Sequence, residues 1–134
     1  MDAHSESKDE VRFIQEMERL LGPAASRTRS EDVRLVQGIG DDAAIVSFGP
    51  GHLLATSDMM VEGIHFDLSL GALGRSTGLR DVGYKALSAS VSDIAAMGGI
   101  PVAVLVSLGW REGLAFDACA ELYEGLREAA LEYG

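Results

Sequence analysis

The sequence predicts an α+β domain in which a mixed sheet of about four strands has helices packed on one face. Three observations support this fold class. Apolar residues recur at helical spacing in three segments, short strand-like runs lie close together between residues 33 and 57, and a valine-rich run follows the second helical segment. The chain has 134 residues, 47% of them hydrophobic, which is enough for one domain with one core.

The first half of the chain predicts one helix and three strands. The helix begins near Asp9 and ends at Gly22-Pro23, because glycine and proline stop helices. Close spacing makes the following strands antiparallel neighbours. They are predicted at Val33–Val36, Ala43–Phe48 and Leu53–Ser57.

The second half predicts helix, strand, helix. A long helix over Gly78–Met97 ends at Gly98-Gly99, the apolar run Val102–Leu108 is typical of a central fourth strand, and a last helix covers Phe116–Tyr133. Residues 1–8 are polar and predicted to be disordered, so residues 9–134 form the domain. A small sheet has exposed edges, and pairing with a second subunit would cover them, so we expect a homodimer.

Charge and cysteine content narrow the function classes. A formal net charge of −10 without a basic patch excludes nucleic acid as a partner, and an acidic protein that handles phosphorylated ligands needs a cation. The single cysteine, Cys119, indicates a reducing, cytoplasmic setting. No apolar run reaches the roughly 20 residues of a membrane span, so no membrane partner is expected.

Two acidic segments stand at turns or strand ends. Gly40-Asp41-Asp42 puts two carboxylates where the backbone can approach a ligand, although an ordinary acidic surface turn explains this segment alone better. Thr56-Ser57-Asp58 follows an apolar strand and offers the hard oxygen donors that magnesium uses. A polar strand end or a capping aspartate explains it equally well.

Asp93 is the most informative acidic residue. Spacing predicts that it shares a smooth helix face with small residues such as Ala86, where a carboxylate is costly unless it is paired. A salt bridge is the alternative to metal ligation, but Lys85 is better placed to meet Asp81 four residues before it, which favours a metal. His65 is either structural or a substrate contact, and both readings stay open.

Several segments in order resemble the N-terminal half of the thiamine-monophosphate kinase family, within the superfamily of aminoimidazole ribonucleotide synthetase. The resemblance extends from about Asp9 to Gly134, and the Glu-Gly-x-His-Phe segment favours this family over its sisters. The matching segments are Gly38-Ile39-Gly40-Asp41-Asp42-Ala43-Ala44, Thr56 to Phe66, Tyr84-Lys85-Ala86-Leu87 and Ser92-Asp93-Ile94-Ala95-Ala96-Met97-Gly98.

The resemblance implies transfer of the ATP γ-phosphate to thiamine phosphate, giving thiamine diphosphate, with Mg²⁺. It implies that His65 contacts the substrate and that the N-terminal sheets of two subunits pair into a barrel-like dimer. The nucleotide would be held through the metal by Asp42, Asp58 and Asp93. The implied magnesium ligands are Asp42, Thr56, Ser57, Asp58 and Asp93.

Two features of the family are missing from the sequence. The family carries a Gly-Gly-Asp motif after the last helix and then a C-terminal domain, and this chain ends at Gly134 before both. The chain alone is therefore expected to be incomplete for catalysis. Two alternatives remain: a non-catalytic dimerisation half-domain, and a sister ATP-dependent enzyme of the same superfamily.

Overall fold

The computed structural model describes residues 11–17, 19–20, 33–69, 77–109 and 116–134, and it confirms the α+β class. The chain divides into two compact units, Met1–Thr56 and Ser57–Gly134. The predicted disordered segment 1–8 and the Gly22-Pro23 helix stop lie outside the described residues. In chain order the elements are helix α1 (residues 11–17 and 19–20), strands β1 (Val33–Gln37), β2 (Ala44–Phe48) and β3 (Gly51–Ala55), and helices α2 (Leu79–Ala96) and α3 (Phe116–Tyr133).

The sheet of the first unit is an antiparallel meander of three strands in the order β1-β2-β3. Side chains of β1 alternate between half-buried and exposed, as a strand with one covered face requires. The turn between β2 and β3 contains Gly49 at φ +56°, a conformation that glycine adopts without a Cβ clash. The three predicted strands of this half of the chain are confirmed within about two residues at each end.

The predicted fourth strand is not formed, and the sheet of the described residues is antiparallel where a mixed one was expected. Residues 101–109 have no secondary structure, and Leu105 is 98% exposed. A strand needs a hydrogen-bonded neighbour, and in the described part of this chain the apolar run has none. Packing of the helices on one face of the sheet stays a prediction, as does the barrel-like dimer.

The core of the second unit lies between α2 and α3, whose predicted positions are confirmed. Both helices present apolar positions at helical spacing, and burying these against each other stabilises the pair. Phe66 and Leu68, which precede α2, pack against this core. Its buried residues are Val82, Leu87, Leu122, Leu126 and Ala129.

Two glycines let the backbones of α2 and α3 come into direct contact. A Cβ added to Gly83 would lie 3.1 Å from the backbone nitrogen of Leu126 and closer still to the Leu122 carbonyl oxygen. A Cβ added to Gly125 would lie 2.8 Å from the backbone nitrogen of Tyr84 and closer still to the Arg80 carbonyl oxygen. Only glycine therefore fits at either position in this crossing.

Polar contacts line the margin of the same helix pair. Arg80 donates to both carboxylate oxygens of Glu128, with 2.9 Å between Nε and Oε2. The Tyr84 hydroxyl donates to Glu132 at 2.7 Å, and its contact with the Tyr133 hydroxyl and this carboxylate together raise the pKa of Tyr84 above its usual range. These groups fix the register of α3 along α2.

Arg80→Met is expected to lower the thermal midpoint at pH 7 and to lose this effect in acid. The hydrogen bond from Arg80 lowers the pKa of Glu128 below its ordinary 4.5. The pair therefore stabilises the fold above that pH, and its contribution is lost as pH falls through the lowered pKa. Thermal denaturation of wild type and variant at pH 7, 5 and 3 should show a shrinking difference, and a difference that stays constant with pH would contradict the assignment.

The ends of α2 follow from its sequence. Asp81 accepts a hydrogen bond from the Gly78 backbone nitrogen at 3.2 Å, which satisfies an otherwise unpaired donor at the helix start. At the other end Gly98 adopts φ +70° and the Gly99 nitrogen donates to the Ile94 carbonyl at 2.9 Å, so the predicted glycine stop is confirmed. Within the described residues, none of the helices has the length and apolar character to cross a membrane.

Candidate functional site

The first acidic segment forms a tight turn before β2. Gly40 has φ +109°, and the Asp42 backbone nitrogen donates to the side chain of the preceding residue, with 3.0 Å to Asp41 Oδ1. Both aspartates are exposed, whereas the next residue, Ala43, is buried at 3% exposure. The buried alanine holds the turn in place, and the two carboxylates point to solvent.

The second segment follows β3, which ends at Ala55. Thr56 is half-buried and is the last residue of the first unit, whereas Ser57 and Asp58 are exposed and begin the second unit. Asp58 Oδ2 accepts a hydrogen bond from the Ser90 hydroxyl of α2 at 2.9 Å. One oxygen of this carboxylate is therefore fixed by the helix.

Asp93 lies in the last turns of α2 and is half-buried. The buried residues of this helix are Val82, Gly83 and Leu87, so the buried face differs from the small-residue face that spacing predicted. Ala86, which was assigned to that face, is half-buried like Asp93, and so is Ser90. Asp93 is thus partly accessible to a ligand from solvent, and the cost of a fully buried carboxylate does not apply.

His65 lies in a compact turn between Val61 and Phe66. The Val61 carbonyl accepts from the backbone nitrogens of Ile64 at 3.2 Å and His65 at 2.9 Å, and Gly63, at φ +81°, donates to the Phe66 carbonyl at 2.7 Å. The Val61 nitrogen donates to His65 Nδ1 at 3.0 Å. A ring nitrogen that accepts carries no proton, so the proton of this neutral imidazole is on Nε2.

Lys85 connects this turn to α2. Its ammonium donates to the His65 backbone carbonyl at 2.6 Å. The sequence favoured a contact with Asp81, but Asp81 caps the helix start and the lysine reaches the preceding segment. Helical spacing describes only neighbours on the same helix, so neither this contact nor that of Ser90 with Asp58 could be found from it.

The structure thus brings Asp58 to Ser90 and His65 to Lys85, both pairs within the second unit. Among the described residues, no three histidine, cysteine, aspartate or glutamate side chains gather in an arrangement that could hold a metal ion. A shallow depression of about 330 Å³ lies on the β2–β3 hairpin, lined by Phe48, Gly51, His52 and Leu53, and it contains none of the candidate residues.

Comparison with known proteins agrees with the motif pattern. Residues 40–134 match the family described as AIR synthase related protein, N-terminal domain. The chain is 42% identical over 97 residues to thiamine-monophosphate kinase of Bacillus subtilis, which covers 72% of this chain and 28% of that protein. No solved structure matches the chain with significance.

Further relatives carry the same name. Identity to thiamine-monophosphate kinase of Methanocaldococcus jannaschii is 33% over 127 residues, covering 93% of this chain and 35% of the relative. For Aquifex aeolicus it is 39% over 95 residues, covering 71% of this chain and 29% of the relative. The chain therefore spans about 28–35% of the length of these relatives. It belongs to the AIR synthase related family, as an N-terminal domain of that family.

Proposed function

We propose that the chain is the N-terminal part of a thiamine-monophosphate kinase, a phosphotransferase that uses ATP. In the proposed reaction a phosphate oxygen of thiamine phosphate bonds to the γ-phosphorus of ATP, the bond from that phosphorus to the bridging oxygen breaks, and ADP leaves. The observation that carries the proposal is the match of residues 40–134, which contain every candidate residue from Asp42 to Asp93, together with relatives of this name.

Magnesium is the proposed cation, with the oxygens of Asp42, Thr56, Ser57, Asp58 and Asp93 as its ligands. Hard oxygen donors suit Mg²⁺, and the exposure of Asp42 and Asp58 leaves them accessible. Mg²⁺ commonly binds through one or two carboxylates with phosphate oxygens and water, so a closed cage of protein ligands is not needed. When bound, the ion neutralises phosphate charge, which a chain of net charge −10 would otherwise repel.

His65 is the proposed substrate contact. Because its Nδ1 is occupied by the Val61 amide, the side chain offers one hydrogen-bond donor, Nε2–H, from an exposed position. A neutral donor of this kind suits a phosphate or hydroxyl oxygen of thiamine phosphate. Positioning of the reactants supplies much of the catalysis in phosphoryl transfer, so a general base is not assigned.

A homodimer in the cytoplasm completes the proposal. In the three-stranded sheet, β1 and β3 are edge strands, and unpaired edges invite pairing with another chain. The run Ile100–Leu108 exposes a row of large apolar side chains, among them Val102 at 84% and Leu105 at 98%. Apolar surface of this kind marks a protein interface. The single cysteine supports a reducing compartment.

Calorimetric titration of the chain with Mg-ATP tests the site directly. The Asp58→Asn, Asp93→Asn double variant is expected to bind at least about tenfold more weakly than wild type, because losing proposed ligands costs more than disturbing an outer-shell partner. The matched control is Glu121→Gln, Glu124→Gln, which removes two exposed charges of α3 and should bind like wild type.

The other outcomes separate the alternatives. Equal affinity of wild type and the aspartate variant for Mg-ATP would contradict the assignment of Asp58 and Asp93 as metal ligands. A chain that dimerises but binds no Mg-ATP would favour the non-catalytic half-domain. Mg-ATP binding without any binding of thiamine phosphate would favour a sister enzyme with another substrate. Thermal stability without ligand, measured for each variant, shows whether the fold is intact.

A further inference from the structure

The Val61–Phe66 turn holds the side chain of His65 in one orientation. Three backbone hydrogen bonds close it, and Phe66 at its end packs against the α2–α3 core. The imidazole of His65 folds back onto the turn, where the Val61 amide holds Nδ1 at 3.0 Å. The ring orientation is therefore set by the backbone of the turn, and Nε2–H is directed away from Nδ1.

The turn itself needs a fixed position relative to α2, and Lys85 supplies it. Its ammonium reaches the backbone carbonyl of His65 at 2.6 Å, a charge-assisted hydrogen bond. Because Lys85 binds the backbone of His65 itself, any shift of this hydrogen bond also moves the imidazole ring. Lys85 also lies two residues after Gly83, where the α2 backbone is in direct contact with α3. The part of α2 that bears Lys85 is thus packed directly on α3.

We propose that Lys85 is a positioning residue, which acts through the His65 carbonyl to place the Nε2–H donor of His65 for the substrate. The part that concerns substrate rests on the proposed function. The placement of the ring by Lys85 does not, and it can be measured in the chain without any ligand. The lysine needs no contact with substrate in this role.

The variants are Lys85→Met, which keeps the length of the side chain without its ammonium, and Lys85→Arg, which keeps a cation and its donors. Arg127→Met is the matched control, because it removes an exposed cation of α3 that pairs with Glu124. Amide hydrogen exchange and ¹⁵N chemical shifts of the His65 ring are measured by NMR in all four proteins. Binding of thiamine phosphate in the presence of Mg-ATP is measured by calorimetry.

In wild type the ring shifts should show Nδ1 without a proton and Nε2 with one. In Lys85→Met the amides of Val61 and His65 should exchange about tenfold faster, the size expected from one net hydrogen bond, while those of α2 stay unchanged. Lys85→Arg should restore protection, and Arg127→Met should behave as wild type. Of the three variants, only Lys85→Met should bind thiamine phosphate several-fold more weakly than wild type.

Unchanged exchange and ring shifts in Lys85→Met would overturn the positioning role. Faster exchange in the turn with no thiamine phosphate binding by wild type would uphold the positioning role and reject the proposed substrate. Faster exchange with equal thiamine phosphate affinity in wild type and Lys85→Met would show that the ring placement has no part in substrate binding, and the proposal would fail on that point.

Discussion

Alanine in place of Gly125 is expected to destabilise the chain by about 3 kcal/mol, the upper part of the range for overpacking. The added Cβ would enter the space of the Arg80 carbonyl and lie 2.8 Å from the Tyr84 nitrogen. Both neighbours are backbone atoms of α2, which cannot move aside as a side chain can. The helices would have to separate, and the core contacts of Leu122 and Leu126 would loosen with them.

Whether Gly125→Ala lowers or raises the stability of the chain distinguishes the close contact of α2 with α3 from the general effect of alanine on a helix. In an exposed helix, the substitution of glycine by alanine stabilises the helix by up to about 1 kcal/mol. If α3 did not touch the backbone of α2, Gly125→Ala would therefore stabilise the chain. Chemical denaturation followed by circular dichroism measures the change in the free energy of unfolding. Gly83→Ala should behave like Gly125→Ala, and Gly109→Ala, where no atom lies within 4 Å of the added Cβ, is the control.

Leu105→Lys is expected to weaken self-association about a hundredfold without lowering the thermal stability of the single chain. The side chain is 98% exposed, so a lysine there stays solvated in the monomer. In a symmetric dimer each copy contributes the same surface, and two ammonium groups would lose water at one interface. The desolvation cost of the lysine is therefore incurred twice in the variant dimer. In the wild-type dimer, by contrast, both copies of Leu105 gain free energy from apolar burial.

Sedimentation velocity across a concentration series measures the dimer dissociation constant. Leu131→Lys is the matched control, since Leu131 is 71% exposed but belongs to α3, outside the run Ile100–Leu108. A wild-type chain that stays monomeric throughout the series would reject the homodimer. Equal weakening by both lysine variants would show that general surface hydrophobicity, not this run, drives association.

The helices were the most predictable part of the fold. The periodicity of α3 and the glycine stop after α2 are local features, and both helices occur where the sequence places them. The predicted strand Val102–Leu108 depends on a partner, and an apolar run does not say whether that partner belongs to the same chain. Strand predictions of this kind therefore fail where pairing is left open.

The candidate site residues stay a prediction, and the contacts that the structure gives them could not be found from the sequence. The acidic segments were singled out by their positions at a turn, a strand end and a helix face, and their ordered pattern with the His65 segment supplied the family resemblance. Residues 40–134, which contain these segments, match the AIR synthase related family. The interaction of Ser90 with Asp58 joins residues 32 apart, which no spacing rule relates. Gly83 and Gly125 were missed because glycine inside a helix signals weak propensity, whereas here it signals a close approach of two backbones.

The two units also differ in how far apart along the chain their partners lie. In the sheet Val33 pairs with Phe48, whereas Arg80 and Glu128 are 48 residues apart. Closing the longer loop costs roughly 1 kcal/mol more chain entropy. We therefore expect the β-meander to form early during folding and the α2–α3 contacts to form late. The contacts that hold Asp58 and His65 to α2 join residues 32 and 20 apart, so we expect them to form between these two steps.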